Sequence, residues 1–210
     1  FIRLRRMFHE FPLAAEMHYA WLMMCGGLER TGGGAGPKVF HLSCAGVAAW
    51  GAARVGGRLA GRGAGLLAGA LVLLSPFTGT IAVRAYNDFA QAALVGLILV
   101  LMVERPRGAA LLAGWMLGAA LSAKYTAVFL VVPLAVWWFR LRPPPYLAAA
   151  LVLAPWTAKS FFLTANPAAP FLTGVFSAGP ETQNQLASYA ASLGSSTWNP
   201  RGWAVASWGL

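Results

Sequence analysis

Acidic residues are scarce in this sequence: 6 Asp and Glu in 210 residues, against 16 Lys and Arg. Only 10% of the chain is charged, where a soluble domain carries roughly a quarter. With 58% hydrophobic residues and a mean hydropathy of +0.61, that scarcity excludes an ordinary soluble domain and implies a polytopic membrane protein. Cysteine is also scarce. Cys25 and Cys44 lie in apolar surroundings without metal-ligand spacing, so they read as packed thiols, not as a disulfide or a metal centre. The net charge of +10 comes from arginines clustered between apolar runs. No basic stripe interleaved with aromatics is present, which argues against a nucleic-acid partner and for basic loops flanking membrane spans. The first ten residues hold no signal-like apolar core, the chain starts at Phe1, and it stops within a Trp-rich apolar segment. These features read as an internal piece of a longer protein.

What is there is a succession of apolar runs. Residues 1–37 read as an outer loop segment that includes a juxtamembrane helix over 12–26, opened by Pro12 and too short to span. The glycine-rich turn at 32–38 lacks the strand and the Ser or Thr of a phosphate loop, and Pro37 separates Gly36 from Lys38. Residues 38–163 form a transmembrane core of about six spans, near 38–54, 63–83, 88–104, 108–124, 124–139 and 145–163. Residues 164–210 turn polar and read as a truncated outer loop with one short helix near 181–193. The expected fold class is therefore all-α, an integral membrane helix bundle. Gly61, Gly65 and Gly69, and separately Gly114 and Gly118, recur at four-residue spacing, which lets helices approach closely.

Alternation of the spans gathers Arg54, Arg58, Arg62, Arg105, Arg107, Arg140 and Arg142 in tight loops on one face, expected to be cytoplasmic. Glu16, Arg84, Asp88, Lys124 and Lys159 then fall on the outer face. Asp88 is the one acidic residue between Glu29 and Glu104. A carboxylate at the mouth of an apolar helix needs a partner or a task. Asn87 or Asp88 as helix N-cap, or an ion pair with Arg84 four residues earlier, is the structural alternative. A carboxylate facing a polar cavity is the functional one. Glu16 is equally the polar edge of an interfacial helix, and Lys124 and Lys159 are equally snorkelling span ends. His9 and His18 have no ligand spacing with Glu16 or Asp88, so no dedicated metal site is expected.

Several short motifs follow one another in order: Pro12-Leu13, Glu16-Met17 and Tyr19; Gly56-Gly57-Arg58-Leu59 and Gly61; Ser75-Pro76; Tyr86 and Asp88; Gly118 with Lys124-Tyr125-Thr126; Pro155-Trp156; Asn166-Pro167 with Pro170-Phe171. In that order, over most of residues 8–172, the chain resembles bacterial membrane glycosyltransferases of the GT-C fold. These are relatives of the protein O-mannosyltransferases and of the lipid A aminoarabinose transferase (glycosyltransferase family 39-like). The resemblance implies an enzyme of the bacterial inner membrane with its active site outside. It would take a sugar from a polyprenyl-phosphate carrier and give it to a lipid, glycan or protein acceptor. Asp88 matches the family's second acidic position, and Glu16 lies on the juxtamembrane helix that lines the donor site. Lys124, Arg84 and Lys159 would bind the donor phosphate. Asp88 would orient sugar or acceptor, or help hold a divalent metal, although the pattern itself specifies no metal. The family's first span and its usual catalytic Asp have no counterpart here. The general base is thus expected upstream of Phe1 unless Glu10 or Glu16 substitutes, and the piece alone is expected to be inactive.

The rival expectations are a transporter of a lipid-linked or small polar substrate, or a non-catalytic membrane subunit. Transport predicts ionisable or broken positions near span centres. Here the ionisable residues collect at span ends, apart from His41, though Pro76, Pro133 and Pro155 are possible breaks.

Overall fold

Long apolar runs punctuated by glycine, proline and arginine become helices with abrupt ends. The computed structural model describes residues 17, 18, 22, 35–82, 87–139, 142–168 and 176. Seven helices order these residues, with no strand among them: α1 (Ala35–Ala60), α2 (Arg62–Leu74), α3 (Pro76–Ala82), α4 (Asp88–Glu104), α5 (Ala109–Ala123), α6 (Ala127–Phe139) and α7 (Pro143–Thr164). Among the described residues the expected all-α class holds. One helix, over Pro143–Leu163, is long and apolar enough by itself to cross a membrane, while α2, α5 and α6 are apolar but shorter. The juxtamembrane helix over 12–26, apart from helical residues 17, 18 and 22, and the short helix at 181–193 lie outside the described residues.

Two expectations change. The first helix does not stop near residue 54 but runs to Ala60, so Arg54 and Arg58 ride on its last turns and not in a loop. Gly61 alone makes the reversal into α2, at φ 88°, a conformation open to glycine and strained for other residues. The second run, expected as one span over 63–83, breaks at Ser75 into α2 and α3. Pro76 has no N–H to offer the carbonyl of Val72, four residues back. The Thr78 hydroxyl supplies that bond instead, donating to Val72 O at 2.5 Å. Pro133 and Pro155 are accommodated inside α6 and α7.

The described residues fall into two compact units divided between Pro155 and Trp156. In the first, α1 packs on α2 and α4, α4 on α5, and α5 on α6. Glycines set the closest approaches. A Cβ on Gly65 of α2 would lie 2.5 Å from Ala53 O, and one on Gly118 of α5 would lie 2.4 Å from Ala149 O of α7. Both contacts are shorter than any side chain tolerates, so the spacing at 61, 65 and 69 divides its roles: Gly61 turns the chain and Gly65 packs it. The core around Ile98, Leu117, Val131 and Phe139 is otherwise built mainly from alanine. Large apolar side chains point outward instead: Leu71, Phe77, Phe129 and Trp137 are all more than half exposed. In the second unit, α7 ends at Ala165 (φ 56°), and Asn166 Oδ1 accepts a bond from Ala168 N–H at 2.9 Å.

Candidate functional site

The polar end of the first unit is assembled by two helix termini, the start of α4 and the end of α5. Glu104 and Arg105 at the far end of α4 lie about 25 Å from its start, at 1.5 Å per residue over its 17 residues. Asp88 opens α4, where a carboxylate interacts favourably with the helix dipole. Lys124 closes α5, its own N–H bonded to Ala120 O in the ordinary C-cap manner. The antiparallel pairing of α4 and α5 brings these two positions together, and Lys124 Nζ meets Asp88 Oδ1 at 2.5 Å. The pair is open to solvent, with side-chain exposures of 35% for Lys124 and 41% for Asp88. Asp88 thus takes its cation from 36 residues away. Arg84, the local partner expected from sequence, lies outside the described residues, as does Glu16.

Asn87 is the N-cap of α4, but its side chain makes no capping bond to that helix. Its Nδ2 donates to Ala123 O at 3.0 Å, which ties the start of α4 to the last carbonyl of α5. The cap comes from elsewhere. Phe89 N–H, one of the first-turn donors with no intrahelical acceptor, donates to Nε2 of His41 at 3.3 Å. His41 is fully buried in α1 and leans on the Phe89 ring, with centroids 5.0 Å apart. A ring that accepts at Nε2 carries its proton on Nδ1 when neutral.

Gln91 lies three residues past Asp88 and so shares its helix face. It is 94% buried by complement of its 6% exposure, and its Oε1 accepts from Thr126 Oγ1 at 3.1 Å. Its Nε2 donor is buried and has no hydrogen-bond partner among the described residues. A half-exposed ion pair therefore stands beside a buried amide with a spare donor. That arrangement can receive an anion at Lys124 and a hydroxyl at Asp88, whereas the buried Gln91 donor meets a further acceptor only after local rearrangement of the helix ends.

Sequence reading named Asp88 and Lys124 separately, and the structure brings them together. Lys159 belongs to the other unit, where its Nζ lies 5.9 Å from the centroid of the Trp156 ring. The sequence offers Asn87 only as an N-cap, a bond its side chain does not make, and gives Gln91 and His41 no role. The available signal was that Gln91 is the one amide in the apolar run from 89 to 103 and falls on the Asp88 face. No group of three or more His, Cys, Asp or Glu side chains gathers among the described residues in a way that could hold a metal. No family model, curated protein or solved structure matches this chain.

Proposed function

We propose that this chain forms part of a polytopic membrane glycosyltransferase. It would move a sugar from a polyprenyl-phosphate carrier to an acceptor at the extracytoplasmic face of a bacterial inner membrane. The observation that carries this reading is the half-exposed Asp88–Lys124 pair at adjoining helix ends. The membrane part is supported by the inverted distribution of side chains in the first unit. Alanine and glycine fill the helix contacts while leucine, phenylalanine and tryptophan face out, as helices packed in lipid arrange themselves. The order of motifs from Pro12 to Phe171 supplies the substrate class.

In such a transfer the acceptor hydroxyl gives its proton to a base and its oxygen attacks the anomeric carbon. The bond from that carbon to the carrier phosphate breaks, and the electron pair leaves on the phosphate. Lys124 offers its charge and up to three N–H donors to that phosphate. Asp88 holds the ammonium at the helix mouth, and its carboxylate receives a sugar or acceptor hydroxyl once the phosphate has drawn Lys124 away. Arg84 is a further phosphate ligand in this reading. Glu16 lines the donor site, and the base is a carboxylate of the outer loop.

The same ion pair favours a second reading, in which Asp88 and Lys124 only neutralise each other in a non-catalytic membrane protein. The full-length protein in proteoliposomes, given polyprenyl-phosphate mannose or polyprenyl-phosphate aminoarabinose with a membrane extract as acceptor, separates the two. On the transferase reading Lys124→Met lowers turnover by about 10²–10³, the usual loss for one transition-state charge stabiliser. Release of polyprenyl phosphate that is absent in the wild type, or unchanged in the variant, refutes it.

A further inference from the structure

At the end of the first unit opposite Asp88, the loop from α4 to α5 and the turn from α6 to α7 enclose an open depression of about 280 Å³. Arg105, Gly108, Trp138, Phe139, Arg142 and Pro145 line it. Glu104, the one carboxylate on this end among the described residues, is occupied elsewhere. It accepts from Arg54 of α1, with Nε at 3.0 Å and a closer contact from Nη2. Arg105 and Arg142 are exposed and have no carboxylate partner among the described residues.

Arg105 is also held where its backbone would favour another residue. It caps α4 in the left-handed region (φ 50°), a position usually given to glycine. Its N–H bonds Leu101 O at 3.0 Å and its Nε bonds Met102 O at 3.3 Å. Neither terminal nitrogen of the guanidinium has a hydrogen bond among the described residues. The wall beside it is a run of packed aromatic rings. Trp138 packs on Phe139, Phe139 meets Tyr146 edge-on at 5.4 Å, and the Tyr146 hydroxyl reaches Ala135 O at 3.5 Å.

We propose that this depression binds the phosphate of an anionic phospholipid headgroup. Arg105 and Arg142 would contact the phosphate and Trp138 would lie at the level of the headgroup. The volume is below the roughly 300–1,000 Å³ of a pocket that encloses a whole small ligand. It suits a headgroup whose chains lie outside. The exposed Leu111, Leu112, Trp137, Leu147 and Leu151 provide an apolar surface on the helices that leave the pocket. Two arginines without a carboxylate partner among the described residues and an adjoining apolar surface match the two halves of a lipid, whereas a free phosphate uses only the first.

The inference rests on the membrane reading above, and the test separates the two. Native mass spectrometry of the purified full-length protein would compare binding of phosphatidylglycerol and phosphatidylcholine. At roughly five-fold per arginine near a membrane surface, the preference for phosphatidylglycerol is expected to be about twenty-five-fold. It should fall to near one in the Arg105→Gly/Arg142→Gln double variant. Glycine relieves the left-handed backbone, so loss of binding there is not loss of fold. A preference that survives the double variant, or inorganic phosphate competing as well as the lipid, overturns the assignment. Wild-type protein that stays in membranes through alkaline carbonate extraction yet shows no preference overturns this site alone. Protein released by carbonate overturns the membrane reading and the site together.

Discussion

Lys124, the last residue of the α5 cap, and Asp88, the first residue of α4, form an ion pair with Nζ 2.5 Å from Oδ1 across 36 residues of sequence. Both are more than a third exposed, so the pair contributes only about 0.2–1 kcal/mol to stability. A large effect on turnover would therefore be out of proportion to any effect on folding.

Reversing the pair tests this. Asp88→Lys combined with Lys124→Asp preserves a salt bridge but moves the cation to α4. Melting in detergent should match the wild type within a few degrees, while release of polyprenyl phosphate stays at the level of Lys124→Met alone. Recovery of turnover in the double variant would identify the pair as structural.

Gln91 gives an independent probe of the same site. Gln91→Leu removes a buried donor that has no partner among the described residues, but also the acceptor of Thr126. The two changes oppose each other in stability. If Nε2 meets substrate, kcat/KM falls by about 10- to 100-fold, the worth of one hydrogen bond to a charged group. Unchanged kinetics would assign Gln91 to packing.

His41 acts on α4 from α1 as a backbone cap. His41→Ala strands Phe89 N–H in a buried position and should cost about 1–3 kcal/mol for that donor, besides the cavity. His41→Gln, which returns an oxygen acceptor, should recover part of the loss. Equal melting temperatures for the two variants would show that the ring's volume matters and its nitrogen does not.

Thr78 and Pro76 are coupled through the Val72 carbonyl. Thr78→Val should lower stability by about 1 kcal/mol or more when Pro76 is present. Pro76→Ala restores an N–H four residues beyond Val72, and in that background Thr78→Val should cost much less. A double-mutant cycle read by thermal melting checks this, and additive losses would contradict it.

Much of the helix layout was legible in the sequence because its punctuation is local. The start of α4 at Asp88 and its end at Glu104 coincide with the ends of an uncharged run. Gly108 and Pro143 mark the starts of the helices that follow. The break at Ser75 was harder to place, since Pro76 and Pro155 look alike in sequence. Pro76 opens a new helix with Thr78 closing the gap, whereas Pro155 stays inside α7.

The sequence by itself determined a succession of apolar runs, helical in the described residues, with the few charges gathered at the ends of those runs. Hydrophobic periodicity and the rarity of Asp and Glu require no partner to be read. Only the tertiary structure decided which ends meet. It set Lys124 against Asp88, His41 beneath Phe89, Arg54 on Glu104, and Arg105 beside Arg142. Antiparallel helix packing at glycine and alanine contacts makes these juxtapositions. The separations, from 36 to 50 residues for the bonded pairs, lie far beyond the reach of any helical repeat.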